Sequence, residues 1–279
     1  MANPVTDHIL DTLSAVDDHA LDLAMAALAL ADTARPGRCF ESYVTHLGIL
    51  VAEALREAGR ASMPEGARRR SEILRFVLVD RWHYHGDVET YEDLDNADLM
   101  QVIDRRKGLP VTLGILYLHV ARKLGWDADG LAFPGHFLIR VCGNAGDRVI
   151  MDPFHDGVEI SPADLRALYK SVKGQGAELA PEAYAPVTNR EILLRLQGNI
   201  RLRALQEGDY PTALAAVQRM LLIAPSDFRL WREGGLMHMR LGDLDSALTA
   251  LERYLGIAPP GPDRDSIARV MEELRQGRS

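Results

Sequence analysis

His136, Asp152 and Thr112 are the residues whose types and spacing could carry chemistry. A histidine works as a general base when a nucleophile lies within hydrogen-bond reach and an acid holds its second ring nitrogen. His136 follows Pro134-Gly135 at the head of the apolar run FLIRVC, and Asp152 closes the run RVIMD. The turn Gly143-Asn144-Ala145-Gly146 between the two runs lays them side by side. A plainer alternative stands beside this one, in which a histidine just after a Pro-Gly pair bonds a loop carbonyl. The nucleophile is the open point. A thiolate at a helix start is stabilised by the helix dipole and by a neighbouring imidazolium, and threonine gains far less from that arrangement. The helix entered at Gly108-Leu109-Pro110 begins Val111, Thr112, Leu113 with no cysteine. Thr112 is the nearest hydroxyl, and a first-turn threonine equally suits the capping of backbone amides.

The two cysteines do not fill that gap. Cys142 lies six residues along the same run as His136, roughly 20 Å away in an extended strand, and Cys39 sits in a distant helical segment. Standing 103 residues apart, they form neither a disulfide framework nor a metal cluster, which suits a reducing cytoplasm. His83-Tyr84-His85 with Asp87 could ligate a metal, but an open loop in a Trp- and Tyr-rich segment accounts for it without one. No metal or cofactor is expected. Arg68-Arg69-Arg70 and Arg105-Arg106-Lys107 read as solvated faces or as partners of Glu72 and Asp104. Phosphate-loop, dinucleotide-binding and Gly-x-Ser-x-Gly patterns are absent from the sequence.

The elements that position these residues follow from periodicity. Val5 to Ala31 and Phe40 to Ala58 carry apolar residues at three and four spacings and read as two antiparallel helices broken at residues 33–38. Glu65 to Asp80 and the shorter Asp95 to Asp104 read as a third and a fourth. Pro110 falls where a first-turn proline is tolerated, and Leu113, Leu116, Tyr117, Val120 and Leu124 predict a helix buried on most faces and stopped at Gly125. Segments 130–133, 136–142, 148–151 and 158–160 read as an antiparallel meander of strands, followed by a helix capped at Ser161 and running to about Ser171. Helices packed on such a sheet make an α+β arrangement.

Beyond about residue 185 the sequence becomes periodic and wholly helical. Gly208-Asp209, Ala213-Leu214 and Ile223-Ala224-Pro225 recur as Gly242-Asp243, Ala247-Leu248 and Ile257-Ala258-Pro259, each at an offset of 34. That is the tetratricopeptide period. Ile267, Val270, Met271 and Leu274 supply the apolar face of a capping helix, and Phe228, Trp231 and Tyr254 read as packing residues. The expected division is 1–185 and 186–279, with the boundary in the proline-containing stretch 181–189.

The pieces RRKGLPVTLGILYLHVARKLG, FPGHFLIRV and MDPF, followed by two such repeats, resemble the bacterial SirB-type family. The resemblance implies a papain/transglutaminase-like core with N-terminal helices, followed by an all-α tetratricopeptide-repeat segment. It also sets His136 and Asp152 on the superfamily's catalytic His and Asp positions, while the position of the nucleophilic cysteine, near the helix start, holds none. Two functions follow. One is a non-catalytic interaction module in which the degenerate cleft and the repeats hold a protein or peptide partner. The other is an amide or ester hydrolase, or an acyl transferase, using His136 and Asp152 with water or Thr112.

Overall charge bounds the partners. Lys and Arg total 32 against 40 Asp and Glu, a formal charge of −8 and the wrong sign for general affinity to nucleic acid or an anionic membrane. The N-terminal residues lack a basic stretch leading into an apolar one, and the longest apolar run there, Leu23 to Ala31, is only nine residues. Neither a signal peptide nor a membrane span is expected.

Overall fold

The computed structural model describes residues 3–60 and 65–276. The chain folds as two compact units, one built from Asp17–Ile192 with the N-terminal residues up to Ile9, the other from Leu10–Val16 with Leu193 onward. The architecture is α+β, followed by helical repeats.

The N-terminal helices are α1 (Pro4–Thr12), α2 (Leu23–Ala34), α3 (Phe40–Gly59) and α4 (Ala67–Arg75). The expected single helix through residues 5–31 is broken because two aspartates cap new starts. Asp17 accepts from the His19 amide to open a 3-10 turn at Asp18–Ala20, and Asp22 accepts from the Met25 amide to open α2. The expected third helix likewise changes hand-hold midway. After Arg75 it widens into a π-helical turn, Phe76–Arg81, where the Trp82 amide reaches the Val77 carbonyl five residues back.

Two short parallel strands, β1 (His85–Gly86) and β2 (Lys107–Gly108), flank a 3-10 turn at Leu94–Ala97 and α5 (Leu99–Arg105). Periodicity did not predict β1 or β2, since two residues carry no alternation. Then comes α6 (Pro110–Lys123), entered through a first-turn proline and buried without interruption from Val111 to Ala121. The sheet follows: β3 (Ala128–Leu131), β4 (Leu138–Cys142), β5 (Arg148–Asp152), β6 (Val158–Glu159), the helix α7 (Pro162–Lys173) and β7 (Pro186–Val187). The order β6-β5-β4-β3-β7 is antiparallel throughout, so the expected meander gains β7 as a fifth, edge strand.

Alternation along β4 sets the two faces. Phe137 and Ile139 meet α6 at Gly114, whereas Leu138 packs with Leu131, Phe133 and Leu165 of α7. The sheet is therefore held between α6 and α7. The approach of α6 is close: a methyl group on Gly114 would lie 2.5 Å from the Phe137 ring.

The second unit contains the rest of α8 (Asn189–Gln206), then α9 (Tyr210–Ile223), α10 (Phe228–Arg240), α11 (Leu244–Ile257) and α12 (Pro262–Gln276). The repeated Gly-Asp pair has a mechanical cause. Gly208 and Gly242 adopt φ of +73° and +78°, turning the chain, and Asp209 and Asp243 then accept the Thr212 and Ser246 amides at 3.1 Å to start the next helix. Ala213 and Ala247 are buried between helices as the spacing predicts. Ile267 and Met271 of α12 pack with Leu251 and Tyr254.

Glycine substitutions test the α6 contact. In an exposed helix interior Gly→Ala stabilises by roughly 0.5–1 kcal/mol, while overpacking a core costs about 1–3 kcal/mol. Gly48 of α3 has open space where a methyl would stand. Urea denaturation should show Gly48→Ala more stable than wild type and Gly114→Ala less stable, by about 1–2 kcal/mol.

Candidate functional site

Three pieces of backbone converge at the end of the sheet where Asp152 stands, and β1 ties two of them together. The His85 amide donates to the Arg106 carbonyl at 3.0 Å and the Asp87 amide to the Gly108 carbonyl at 3.2 Å, holding the lead into α6. Between them the Gly86 amide donates to the Phe154 carbonyl at 3.1 Å. Gly86 is required there, because a methyl group would fall 2.6 Å from the Phe154 ring. The third piece is α6 itself, whose buried Tyr117 faces Gly157; a side chain at Gly157 would stand 2.4 Å from the tyrosine hydroxyl.

Asp152 is the last residue of β5 and is buried. Its Oδ1 accepts the Phe154 amide at 2.9 Å and the His155 amide at 3.3 Å, and its Oδ2 contacts His155 Nδ1 at 2.8 Å. The reading from sequence paired this carboxylate with His136; the bond the structure makes is to His155, three residues on. The His155 side chain is 58% exposed, so an oriented imidazole stands open to solvent. Sequence reasoning missed it because the Asp-Pro-Phe-His spacing is a turn signature, and only the turn folds the ring back on the carboxylate.

His136 lies in the turn ahead of β4. Its amide donates to the Phe133 carbonyl at 3.0 Å, its ring stands 6.3 Å from the Phe133 ring, and it is half-buried. Register brings it to the same end of the sheet as Asp152: Ile139 pairs with Met151, so β4 begins, two residues after His136, at the end of the sheet where β5 stops. Thr112 is elsewhere in chemical terms. It is 0% exposed, and its Oγ1 donates to the Asn96 carbonyl at 2.8 Å. The same carbonyl accepts the Leu109 amide at 3.0 Å. The threonine thus fastens the helix start to the preceding turn, a different bond from the amide capping considered above. Its flanking residues Val111 and Leu113 are buried as well.

The lead into α6 is braced by buried polar groups. Asp87 is a hub that accepts the Thr90 amide and hydroxyl at 2.9 and 2.6 Å and pairs with Arg105 at 3.2 Å and Lys107 at 3.0 Å. Burial disfavours its charge, but these donors outweigh it and hold its carboxyl well below the usual range. Asp87 is therefore committed to structure, and among the described residues no group of three or more His, Cys, Asp or Glu is placed to hold a metal ion. Arg106 is left-handed at φ +63°, and its guanidinium lies over the Trp82 and Tyr84 rings at 4.9 and 5.0 Å. It donates to the Tyr84 hydroxyl and, at 2.8 Å, to His46 Nε2. An arginine can only donate, so His46 is neutral. Burial first and the Arg106 charge second lower its pKa from 6.5 to about 4, with Asp104 opposing.

In the second unit an apolar groove of about 610 Å³ runs between α9, α10 and α11, lined by Leu214, Val217, Leu221, Leu222, Trp231 and Ala250 among others. Among the described residues no helix is long and apolar enough to cross a membrane.

A family model described as the transglutaminase-like superfamily matches residues 41–198. The chain belongs to that superfamily. A tetratricopeptide-repeat model matches residues 200–272, so the family's core domain is joined to helical repeats. Similar proteins include a UPF0162 protein of Vibrio cholerae, 32% identical over 226 residues that make up 81% of this chain and 82% of the relative. A UPF0162 protein of Xylella fastidiosa is 30% identical over 238 residues, 83% of this chain and 82% of the relative. F-box only protein 21 of Homo sapiens is 25% identical over 253 residues, covering 86% of this chain but 37% of that protein. No solved structure matches the chain.

Two measurements follow from this geometry. Thr112→Cys should add no fast-reacting thiol to a native disulfide-exchange assay, since the side chain is sealed; the exposed Cys39 gives the rapid phase in both proteins. For His46 the pKa is lowered on folding, so its contribution is complete above 6.5 and is lost as pH falls from 6.5 toward 4. Unfolding in that window takes up about one proton. Urea midpoints measured across it should fall less steeply in His46→Gln than in wild type.

Proposed function

We propose that the protein is a SirB-type interaction protein. In this reading residues 1–185 carry a transglutaminase-like cleft that no longer turns over substrate, and residues 186–279 supply a repeat surface for a protein or peptide partner. The observation that carries it is the sealed helix start, where the Thr112 hydroxyl is buried and already donates to Asn96. A nucleophile has to reach its substrate, and this one cannot without unpacking the first turn of α6. The apolar groove of the repeats supports the second half, because repeat surfaces bind extended or helical segments through packing rather than through reactive groups.

One observation favours the alternative, the amide or ester hydrolase or acyl transferase read from His136 and Asp152, with His155 rather than His136 as the imidazole that the acid holds. Asp152 holds a solvent-open imidazole, His155, and an imidazole held by a carboxylate can act on water.

Affinity capture from a host lysate separates the two. Wild type, His136→Ala and His155→Ala should retain the same unmodified partner, and Leu222→Asp, at an exposed position of the repeat groove, should lose it at least tenfold. Release of a cleaved or deamidated product by wild type alone would establish the hydrolase instead.

A further inference from the structure

Arg106 stands where a helix commonly ends in glycine. It closes α5 in the left-handed region at φ +63°, with its amide returned to the Val102 carbonyl. An arginine is uncommon there, and departures of this kind gather at ligand clamps and switches. Its guanidinium is fixed by two rings and two hydrogen bonds. Trp82 and Tyr84 lie against it at 4.9 and 5.0 Å, and Nη1 alone donates to the Tyr84 hydroxyl and, at 2.8 Å, to His46 Nε2. Both acceptors are neutral. Among the described residues no carboxylate pairs with Arg106, and nothing accepts from its Nε or Nη2. Neither nitrogen is sealed in the interior. Nε and Nη2 form the parallel pair of donors with which an arginine grips both oxygens of one carboxylate. One edge of the guanidinium is therefore committed and the gripping edge is unused.

Arg106 lines a cavity of about 440 Å³, within the roughly 300–1,000 Å³ range of small-molecule sites. The charges on the wall select the ligand. Asp104, the acid of the lining, is answered by Arg38 Nη1 at 2.7 Å and by the Tyr43 hydroxyl at 2.9 Å. His46, neutral as described above, adds no charge. Two cations against one anion leave the wall positive, and the unmatched charge is that of Arg106. The start of the 20-residue helix α3 opens on the same cavity. Cys39 and Ser42 line it there, and Cys39, the N-cap, makes no side-chain bond to the first-turn amides, so the positive helix end adds to the field.

We propose that this cavity binds a small molecule through a single carboxylate, whose two oxygens accept from Arg106 Nε and Nη2. Asp104 in the same wall selects a monoanion, since a second negative charge on the ligand would meet it. The lining shares no residue with the Asp152–His155 turn or the repeat groove, so the site is independent of the interaction reading.

Heteronuclear NMR on the isotope-labelled full chain tests it, with propionate titrated in and the Arg106 Nε–H resonance, assigned by its loss in Arg106→Lys, as the signal. Propionate should shift that resonance at one saturable site, methylammonium should not, and phosphate should bind more weakly than propionate. Arg106→Lys keeps the charge but not the fork; followed at the Ser42 amide, it should weaken propionate binding roughly tenfold or more. Asp104→Asn removes the competing anion and should tighten binding. No saturable shift, an equal shift with methylammonium, phosphate bound as tightly as propionate, or unchanged binding in Arg106→Lys would overturn the proposal. Should Arg106→Lys lose its fold by circular dichroism, the exposed Asp104 decides the question: tighter binding in Asp104→Asn supports the site, and unchanged or weaker binding overturns it.

Discussion

The structure of the first unit depends on a helix that is buried on every side. From Val111 to Ala121 every residue of α6 is buried, and its neighbours are shaped to that fact. Gly114 lets the Phe137 ring rest on the helix backbone, and Gly130 admits the same ring from β3. Gly157 gives way to Tyr117. A central helix of this kind gathers the segments around it without any of them having to contact one another. It also fixes what its first turn can do. In the superfamily's arrangement the reactive atom stands at the helix start, where amides and dipole favour an anion. Here that turn has been drawn into the core, with the Asn96 carbonyl accepting both the Leu109 amide and the Thr112 hydroxyl.

Drawing the turn inward places demands on the segments beside it, and buried polar groups meet them. Asp87 would be costly in the interior alone, yet its two bonds from Thr90 and its pairs with Arg105 and Lys107 leave it satisfied. Networks of this kind add little net stability compared with an apolar core, and here the pairings tie Asp87 to residues 90, 105 and 107. Asp87 fixes residues 105–107, Arg106 reaches from there to Tyr84 and His46, and β1 carries the same order across to Phe154. The position of the Asp152–His155 turn is thus set by groups far from it in sequence.

Much of this was legible beforehand, and the exceptions share a cause. The strands 138–142, 148–152 and 158–159 fall within two residues of the expected ones because alternation and turn residues are local signals. The repeats were legible for the same reason: glycine at positive φ and the aspartate that follows it act within four residues. The misses depended on partners distant in sequence or on competing caps. Asp17 and Asp22 break a helix that apolar periodicity alone would continue. β1 and β2 exist only because residues 85–87 find residues 106–108. His155 needed the closed turn, and the fate of Thr112 needed Asn96, sixteen residues upstream. Local chemistry was readable; the identity of the atom that each polar side chain finally bonds was not.

That distinction bears on what His155 can do. With Nδ1 against Asp152 the imidazole is held in one tautomer, leaving Nε2 as the nitrogen that meets solvent. General-base assistance of this sort contributes roughly 10²–10⁴-fold to a rate. Enzymes accelerate their reactions by about 10⁶-fold or more. General-base assistance alone is thus at least two orders of magnitude smaller than a whole enzyme's acceleration. The same nitrogen is sufficient for recognition, where a single hydrogen bond to a charged group contributes about 1.5–3 kcal/mol. An oriented imidazole open to solvent beside a buried helix start is chemistry suited to recognition, and that is the ground on which the interaction reading rests.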